Sequence, residues 1–203
     1  MALSDGYHDI PVGRVAAVVT HLEMTQKAAP RPVPVPEGVE LRRIDAPRAE
    51  RYLQLFRLVG AEDWLWFSRL RMDPAKLEAI LNDPKVHVYA LQRDGKDLGL
   101  LELDFREEGQ CELAFFGLAP EMIGAGAGRY LMNEALRLAW AEPISLFHVH
   151  TCTLDSPQAL GFYIRSGFNP VRQQIEIAKD PRLDGLISPE AAPQVPIFRP
   201  SDS

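Results

Sequence analysis

The sequence predicts an α/β (α+β) fold built on a mixed, mostly antiparallel sheet with one parallel β-α-β crossover in its middle. Apolar, β-branched runs and helical patterns alternate in the order βααβββαβαβ. The turn sequence Arg93-Asp-Gly-Lys96 joins two of these runs as an antiparallel hairpin. A glycine-rich turn around residue 126 leads from the third strand of this meander into a helix, and a helix between two strands allows them to run parallel.

Each element in the first half of this body follows from a local pattern. Apolar residues at helical spacing predict a helix over 46–59. Asp73 is a residue type that caps helix N-termini, and Pro74 suits the first helical position, so a second helix begins there and runs to Leu81. The strands predicted in this half are residues 38–44, 86–92, 98–105 and 111–118.

The second half continues with strands and helices in alternation. A helix over 128–140 carries an apolar face that includes Leu131, Leu136 and Ala139. Ahead of the body, residues 14–24 are apolar and β-rich, which predicts an accessory strand that packs either on the body or on a second subunit. The remaining predicted elements are a strand at 147–154, a helix at 157–166 and a strand at 171–177.

Proline divides the chain into three parts. The chain has 17 prolines among 203 residues, which is above the typical ~5%. Four prolines alternate from Pro30 to Pro36 and predict a stiff, extended connector, and four more punctuate the tail from Pro189 to Pro200. Because the sequence does not decide whether the accessory strand packs on its own chain or on a second subunit, a homodimer is possible. The predicted parts are an accessory strand and connector at 1–37, a compact domain at 38–180 and an extended arm at 181–203.

Charge and composition exclude several classes of protein. Lys and Arg number 22 against 28 Asp and Glu, a net charge of -6, which argues against nucleic-acid binding. No apolar run reaches the ~18 residues of a membrane span, and the N-terminus does not resemble a secretory signal, so we expect a cytoplasmic protein without a membrane partner. Cys111 and Cys152 lie in apolar stretches and are expected to be buried thiols, although a single bridge stays open. No metal is expected, because no group of ligand residues has metal-site spacing.

Three alternating glycines, Gly124, Gly126 and Gly128, occupy the turn before the helix at 128–140. Glycine lets the backbone approach a ligand closely, and the free N–H groups and dipole of a helix N-terminus favour an anion. A phosphate or pyrophosphate is therefore the expected ligand, with Arg129 adding charge at the rim, and a plain flexible turn is the alternative. The spacings of the P-loop and of the dinucleotide-binding fingerprint do not match, which disfavours ATP and NAD.

A second motif follows the strand at 147–154 and reads Ser156-Pro-Gln-Ala-Leu-Gly-Phe-Tyr163-Ile-Arg-Ser-Gly-Phe168. It resembles the N-x-x-A-x-x-x-Y-x-x-x-G-F pattern of the GNAT acetyltransferase superfamily. The glycine turn, read from Ile123, resembles the Q/R-x-x-G-x-G/A element of the same family. The resemblance covers roughly residues 38–178 and includes the order of elements. It implies a GNAT-like fold with helices on both faces of the sheet.

The resemblance also implies a binding site for acetyl-CoA between the two central strands, which splay apart after the strand at 111–118. The pyrophosphate would lie on the backbone amides of the turn, and the pantetheine arm would pair with the strand edge like an added strand. Tyr163 would donate a proton to the departing CoA thiolate. The implied cofactor-binding residues are Gly117, Leu118, Ala119, Ile123, Gly124, Ala125, Gly126, Ala127, Gly128, Arg129, Ser156 and Tyr163.

Two positions depart from the family pattern. Ile123 replaces the usual Gln or Arg, which loses little if backbone amides bind the phosphate. Ser156 replaces the usual Asn and keeps a hydroxyl in the same place, or it instead caps the helix that Pro157 opens. Tyr163 is retained, although an ordinary core tyrosine is the alternative to an acid.

Glu112 is the predicted general base, because an amine must lose a proton before it can attack. It lies 12 residues before Gly124, a position at which some histone-type members of the family carry a catalytic glutamate. A strand carboxylate facing solvent or an arginine is the alternative. The next candidates are Glu102 and Asp104 on the preceding strand and His148 and His150 on the following one.

An acidic and aromatic cluster between the two N-terminal helices contains Trp64 and Trp66. It suits a cationic amine through charge and cation–π contact, or it makes core or dimer contacts. Glu102 and His150 are further candidates for contact with the acceptor. The resemblance implies an acetyl-CoA-dependent N-acetyltransferase, with direct attack by a primary amine of a small molecule or peptide. The alternative is a non-catalytic acyl-CoA-binding module or sensor on the same fold.

Overall fold

The computed structural model describes residues 3–124 and 126–199 of the chain. Seven strands in these residues form one sheet. Each strand contains β-branched or other apolar residues, which suit a pleated, half-buried surface. The strands are β1 (Arg14–Met24), β2 (Val39–Arg43), β3 (Val86–Arg93), β4 (Lys96–Asp104), β5 (Gln110–Leu118), β6 (Leu146–Cys152) and β7 (Asn169–Lys179).

The strands lie in the order β2-β3-β4-β5-β6-β1-β7, and every neighbouring pair is antiparallel except β5 and β6. The hairpin between β3 and β4 turns at Asp94 and Gly95, whose φ angles of 53° and 77° match a two-residue turn that follows the strand twist. The predicted mixed, mostly antiparallel sheet with a central parallel crossover is confirmed.

The helices begin close to their predicted positions. Asp73 caps the helix that begins at Pro74, as expected, because its carboxylate accepts hydrogen bonds from the amides of Ala75 and Lys76. The first predicted helix is divided: after Phe56 it continues as a π-helical turn, Arg57–Ala61, and ends in a short α-helical turn. The helices are α1 (Ala49–Phe56), α2 (Glu62–Trp64), α3 (Pro74–Leu81), α4 (Ala127–Ala139) and α5 (Ala159–Arg165).

Helices cover both faces of the sheet and bury two main apolar clusters. Residues of α4 and α5 pack on one face with Leu22 and Phe147, and residues of α1 and α3 pack on the other with Val88 and Leu100. Fully burying one such side chain stabilises the fold by about 1.5–3 kcal/mol, so the two layers hold the sheet from both sides. Within the described residues, no helix is long and apolar enough to cross a membrane.

The N-terminal strand β1 lies inside the sheet, between β6 and β7, and pairs with both. It therefore packs on the body of its own chain, which is one of the two arrangements that the sequence left open. Val15, Ala17 and Val19 alternate along it and are buried. The connector that follows β1 crosses α4, where the Asn133 side chain bonds both the amide and the carbonyl of Arg31.

The C-terminal arm folds back onto the segment that follows α1. Arg182 holds it together: the guanidinium is buried, pairs with the Asp180 carboxylate at 2.7 Å and donates to the carbonyls of Ala191, Ala192 and Val195. Apolar residues of the arm pack around α2. The arm is therefore an irregular but folded brace behind the α1–α3 segment.

Candidate active site

A cavity of about 370 Å³ opens where β5 and β6 separate. The two strands pair only at their starts, where Gln110–Glu112 lies beside Leu146–His148. Beyond this point β5 keeps its antiparallel pairing with β4 as far as Leu118, while in the described part of the chain its other edge has no strand partner. The backbone groups along that edge are placed to pair with an extended ligand.

The end of β5 is shaped by a glycine. Gly117 and Leu118 line the cavity, whereas Ala119 is buried beside it. A Cβ on Gly117 would lie 2.8 Å from Cγ2 of Val59 and 3.0 Å from Cη2 of Trp66, which is closer than side chains approach. The bare backbone at this position therefore allows the indole of Trp66 to pack against the strand.

The glycine turn borders the same cavity through two of its residues. Gly124 and Gly126 have φ angles of 95° and 81°, in the left-handed region that favours glycine. Among the described residues no side chain caps α4 at its start, Ala127, and the first amides of a helix have no partner within the helix itself. Ile123 and Gly128 line the cavity. The turn thus presents an uncapped helix N-terminus, which favours an anion.

The Pro-rich connector runs beside this turn. The guanidinium of Arg129 donates to the carbonyl of Pro32 at 3.3 Å, so the connector takes one hydrogen bond from the side chain expected at the phosphate rim. A Cβ on Gly126 would lie 3.1 Å from Cγ2 of Val33. Ala125, which was also predicted to contact the phosphate, lies outside the described residues.

Tyr163 of α5 lines the cavity and is 7% exposed. Its ring lies edge-on to the rings of Phe116 and Phe168, with centroids 6.3 Å and 6.0 Å away. Burial raises the pKa of its hydroxyl well above the usual range, and the charge of Asp155 raises it further. The phenol therefore keeps its proton at neutral pH.

The segment from β6 to α5 forms another part of the wall. Ser156 lines the cavity, and its Oγ accepts a hydrogen bond from the amide of Gln158 at 3.4 Å. Gln158 occupies the N-cap position of α5, so the structure does not place Ser156 at that cap. Cys152 also lines the cavity, and burial raises the pKa of its thiol to about 11. Both Cys152 and the buried Cys111 are free thiols.

Glu112 of β5 and His150 of β6 come together where the strands separate. Oε1 of Glu112 lies 3.5 Å from Nδ1 of His150, and His150 lines the cavity. Their interaction lowers the pKa of Glu112 and raises the pKa of His150. His21 of β1 lies beside them, with its ring centroid 5.8 Å from that of His150. The cavity wall therefore carries an imidazole that is paired with a carboxylate.

Glu102 and Asp104 do not reach the cavity. Glu102 is fully buried, and its carboxylate accepts hydrogen bonds from the hydroxyl of Tyr52 and the guanidinium of Arg69. Burial raises the pKa of Glu102 overall, although Arg69 opposes the shift. For Asp104 burial acts in the same direction, but its contacts with Arg106 outweigh it and lower the pKa. Both carboxylates bind neighbouring side chains of the fold, and neither faces the cavity.

Trp64 and Trp66 both line the cavity. The indole N–H of Trp66 donates to Oδ1 of Asp155 at 2.9 Å, and its ring packs against Phe115 with centroids 5.5 Å apart. Gly60 makes room for it, since a Cβ there would lie 2.1 Å from the indole. Asp155 was not among the predicted site residues, although a carboxylate directly after the strand predicted at 147–154 is a usable signal. Asp155 also accepts hydrogen bonds from a hydroxyl and an amide of β6, so it joins the aromatic wall to that strand.

The cavity is mainly apolar and aromatic, with a few charged groups at its rim. Arg165 and Glu176 are among these charged residues, together with Asp155. Residues 3–124 and 126–199 contain no group of three or more His, Cys, Asp or Glu side chains able to hold a metal ion. Apolar walls with a few placed polar groups suit an organic ligand.

Comparison with protein families places these features in one matched segment. A family model described as "Acetyltransferase (GNAT) family" matches residues 52–168. This segment includes the β5–β6 separation, the glycine turn and α5, and it leaves out β1 and β7. No curated protein matches the sequence.

Solved structures share the fold at low sequence identity. A GCN5-related N-acetyltransferase from Sphaerobacter thermophilus is 14% identical, with a TM-score of 0.62, over 93% of this chain and 55% of that one. A functionally unknown conserved protein from Staphylococcus epidermidis is also 14% identical, with a TM-score of 0.55, over 83% and 63%. The chain thus spans less than two thirds of either protein. An IAA acetyltransferase from Bacillus cereus is 19% identical, with a TM-score of 0.51, over 66% and 79%.

Proposed function

The chain belongs to the acetyltransferase (GNAT) family, and we propose that it moves an acetyl group from acetyl-CoA by direct attack of a primary amine of a small molecule or peptide. One observation carries the proposal. One cavity is lined by the unpaired edge of β5, by Ile123 and Gly128 at the two ends of the glycine turn, and by Tyr163. The strand edge can pair with an extended arm, the backbone amides of the turn can bind a phosphate, and the tyrosine can donate a proton to a leaving group.

The residues around the cavity fit acetyl-CoA. The first turn of α4 and the two glycines before it, Gly124 and Gly126, offer backbone amides to the pyrophosphate. The edge of β5 from Leu113 to Leu118 offers N–H and C=O groups to the amides of the pantetheine arm. When bound, acetyl-CoA supplies an acetyl group that is activated as a thioester. The protein then has only to orient the reactants, exclude water and move protons.

Tyr163 is the proposed general acid. Tyr163 lines the cavity, and its hydroxyl keeps its proton at neutral pH because burial raises its pKa. Among the described residues, no side chain or backbone group is hydrogen-bonded to that hydroxyl, which leaves its proton for a leaving thiolate. Its ring is fixed by Phe116 and Phe168, so little freedom is lost when the hydroxyl is used.

Glu112 and His150 are proposed to act together as the base. Nδ1 of His150 faces Glu112, which leaves Nε2 for a partner in the cavity. Neutral His150 can accept a proton from the amine at Nε2, and the carboxylate of Glu112 then stabilises the imidazolium. In this arrangement His150 takes the proton from the amine, and the carboxylate of Glu112 supports that transfer by stabilising protonated His150.

Trp64 and Trp66 are the proposed acceptor contacts. Both indoles line the cavity, and an aromatic face attracts a cationic amine before it loses its proton. Glu176 and Asp155 add negative charge to the same lining. Glu102 is not part of this proposal, because it is fully buried against Tyr52 and Arg69.

Release of CoA thiol from acetyl-CoA in the presence of a panel of primary amines tests this function. We expect turnover with at least one amine, and we expect Tyr163→Phe to lower kcat by about 10²–10⁴, the usual contribution of a general acid. Tyr89→Phe is the matched control, because Tyr89 is also 7% exposed but does not line the cavity. Acetyl-CoA affinity should stay nearly unchanged in both variants.

The outcomes separate the alternatives. Turnover that falls in Tyr163→Phe and not in Tyr89→Phe supports the proposed acid. Equal turnover in both variants contradicts that role. Acetyl-CoA binding without thiol release across the panel favours the non-catalytic acyl-CoA-binding module, and the absence of any binding contradicts the cofactor assignment.

A further inference from the structure

We propose that β7 pairs edge to edge with β7 of a second copy of this chain, which gives a homodimer with one sheet continuous across a two-fold axis. Strand β7 ends the sheet, and among the described residues its one strand partner is β1. It is 11 residues long, and every residue in it except the half-buried Ala178 is exposed. A long, exposed edge strand presents a row of free N–H and C=O groups to another chain.

The two edges of the sheet differ in this respect. At the opposite edge, β2 has only 5 residues, and Glu40, Arg42 and Arg43 charge most of it. Short length and charge are the usual means by which an edge strand avoids pairing. Strand β7 carries Pro170 near its start and three charged residues, but it is more than twice as long as β2, and its Ile175 and Ile177 are 48% and 46% exposed. The β7 edge is therefore longer and more apolar than the β2 edge, which makes it the better suited of the two to pair with a second copy.

The charges of β7 are self-complementary in one antiparallel register. If the two-fold axis passes through Gln174, Arg172 lies opposite Glu176 of the second copy, and the same pair forms again across the axis. Opposite charges facing each other across strands stabilise pairing, and like charges weaken it. In the described part of the chain neither Arg172 nor Glu176 belongs to an ion pair, and the guanidinium of Arg172 contacts Nε2 of His21 at 3.5 Å.

The other face of β7 supplies apolar contact in the same register. Ile175 lies opposite Val18 of β1, which is 40% exposed, and Ile177 lies on the same face. Helix α5 covers this side of the sheet, where Leu160 and Ile164 are also exposed, at 37% and 45%. The exposed apolar residues of β1, β7 and α5 therefore lie on one side of the sheet, and pairing of two copies would bring two such sets to the seam.

The proposed interface adjoins the active-site cavity without depending on the reaction. Glu176 lines the cavity, so Arg172 of the second copy would lie beside that rim. His21 and Gln174 hydrogen-bond to each other at 2.8 Å on the same face, so the side chain at the centre of the proposed seam is held by its own chain. Assembly and catalysis can be measured separately, and failure of either leaves the other standing.

Sedimentation velocity of the full chain, from about 1 to 100 µM, tests for the dimer. We expect a monomer–dimer equilibrium. Arg172→Glu and Glu176→Arg should each raise the dimer dissociation constant by roughly tenfold or more, because each change makes both cross-strand pairs repulsive. The two single variants mixed in equal amounts should dimerise again. In their heterodimer the two reversed side chains face each other and the two unchanged ones do the same, so both pairs again join opposite charges.

Arg42→Glu is the matched control, because it reverses one exposed charge on the other edge strand and should leave the dimer unchanged. Circular dichroism establishes that each variant is folded before its assembly is compared. A monomer over the whole concentration range overturns the proposal, and so does a dimer that is insensitive to both single charge changes. A mixture that fails to regain the dimer overturns the register centred on Gln174.

Discussion

Replacing Arg69 tests the assignment of Glu102 as a structural residue. The carboxylate of Glu102 is 0% exposed and is held by Arg69 and Tyr52. Arg69→Met keeps most of the side-chain volume but removes the only cation paired with Glu102 in the described part of the chain. The variant therefore leaves a buried carboxylate with the Tyr52 hydroxyl as its remaining partner.

The expected loss is large, because removing one member of a buried ion pair costs about 3–5 kcal/mol. For a chain of this size, 1 kcal/mol corresponds to about 2–4 °C in Tm, so Arg69→Met should lower Tm by about 6–20 °C at neutral pH. The defect should shrink as the pH falls. Without Arg69 the raised pKa of Glu102 rises further. At a pH above the ordinary range of glutamate, the folded variant therefore still binds a proton that the unfolded chain has lost. The stability of the variant consequently declines as the pH rises through this range.

Thermal unfolding between about pH 5 and pH 7.5 measures both effects. Arg71→Met is the matched control, because Arg71 pairs with Asp184 at a partly exposed site and should contribute about 1 kcal/mol or less. The double variant Arg69→Met with Glu102→Leu should recover much of the loss, since no buried charge is left unpaired. A loss below about 1 kcal/mol, or a loss that does not change with pH, would refute the reasoning.

Two further predictions concern the active site. Glu112→Gln should move the acidic limb of the pH profile of kcat/KM to lower pH, because Glu112 is the main cause of the raised pKa of His150. A limb that does not move would contradict the pairing of Glu112 with His150 in the reaction. Arg182→Leu should raise KM for the amine but not for acetyl-CoA, because the C-terminal arm packs behind the aromatic wall around α2 rather than against the glycine turn, and steady-state kinetics with each substrate varied would measure the difference.

Local chemistry made much of the fold predictable. Asp73 and Pro74 fix the start of α3 by a cap that depends only on neighbouring residues. Asp94 and Gly95 define the β3–β4 hairpin in the same way. The place of β1 was not predictable to this degree, because its partners in β6 and β7 are more than 100 residues away in sequence. Pairing over such separations depends on the packing of the whole sheet.

The site shows the same division between local and distant causes. The glycine turn and Tyr163 were recognised from their motifs, and the structure brings both to one cavity. Glu102 was expected near the acceptor but is buried against Arg69. Alternation along a strand does not reveal which of its faces is buried, and it gives no sign that Arg69 would pair with Glu102. The role of Asp155 was not predictable from local sequence, because its carboxylate accepts a hydrogen bond from Trp66, which lies 89 residues earlier in the chain.

Binding of acetyl-CoA is the central claim, and ligand-dependent thermal unfolding tests it most directly. At about 100 times Kd, a ligand that binds only the folded protein adds ~2.7 kcal/mol, or about 5–11 °C in Tm for a chain of this size. We predict a shift of this order with acetyl-CoA and a much smaller one with ATP at the same concentration, because the glycine turn lacks the P-loop spacing. No shift with acetyl-CoA, or a larger shift with ATP, would contradict the account.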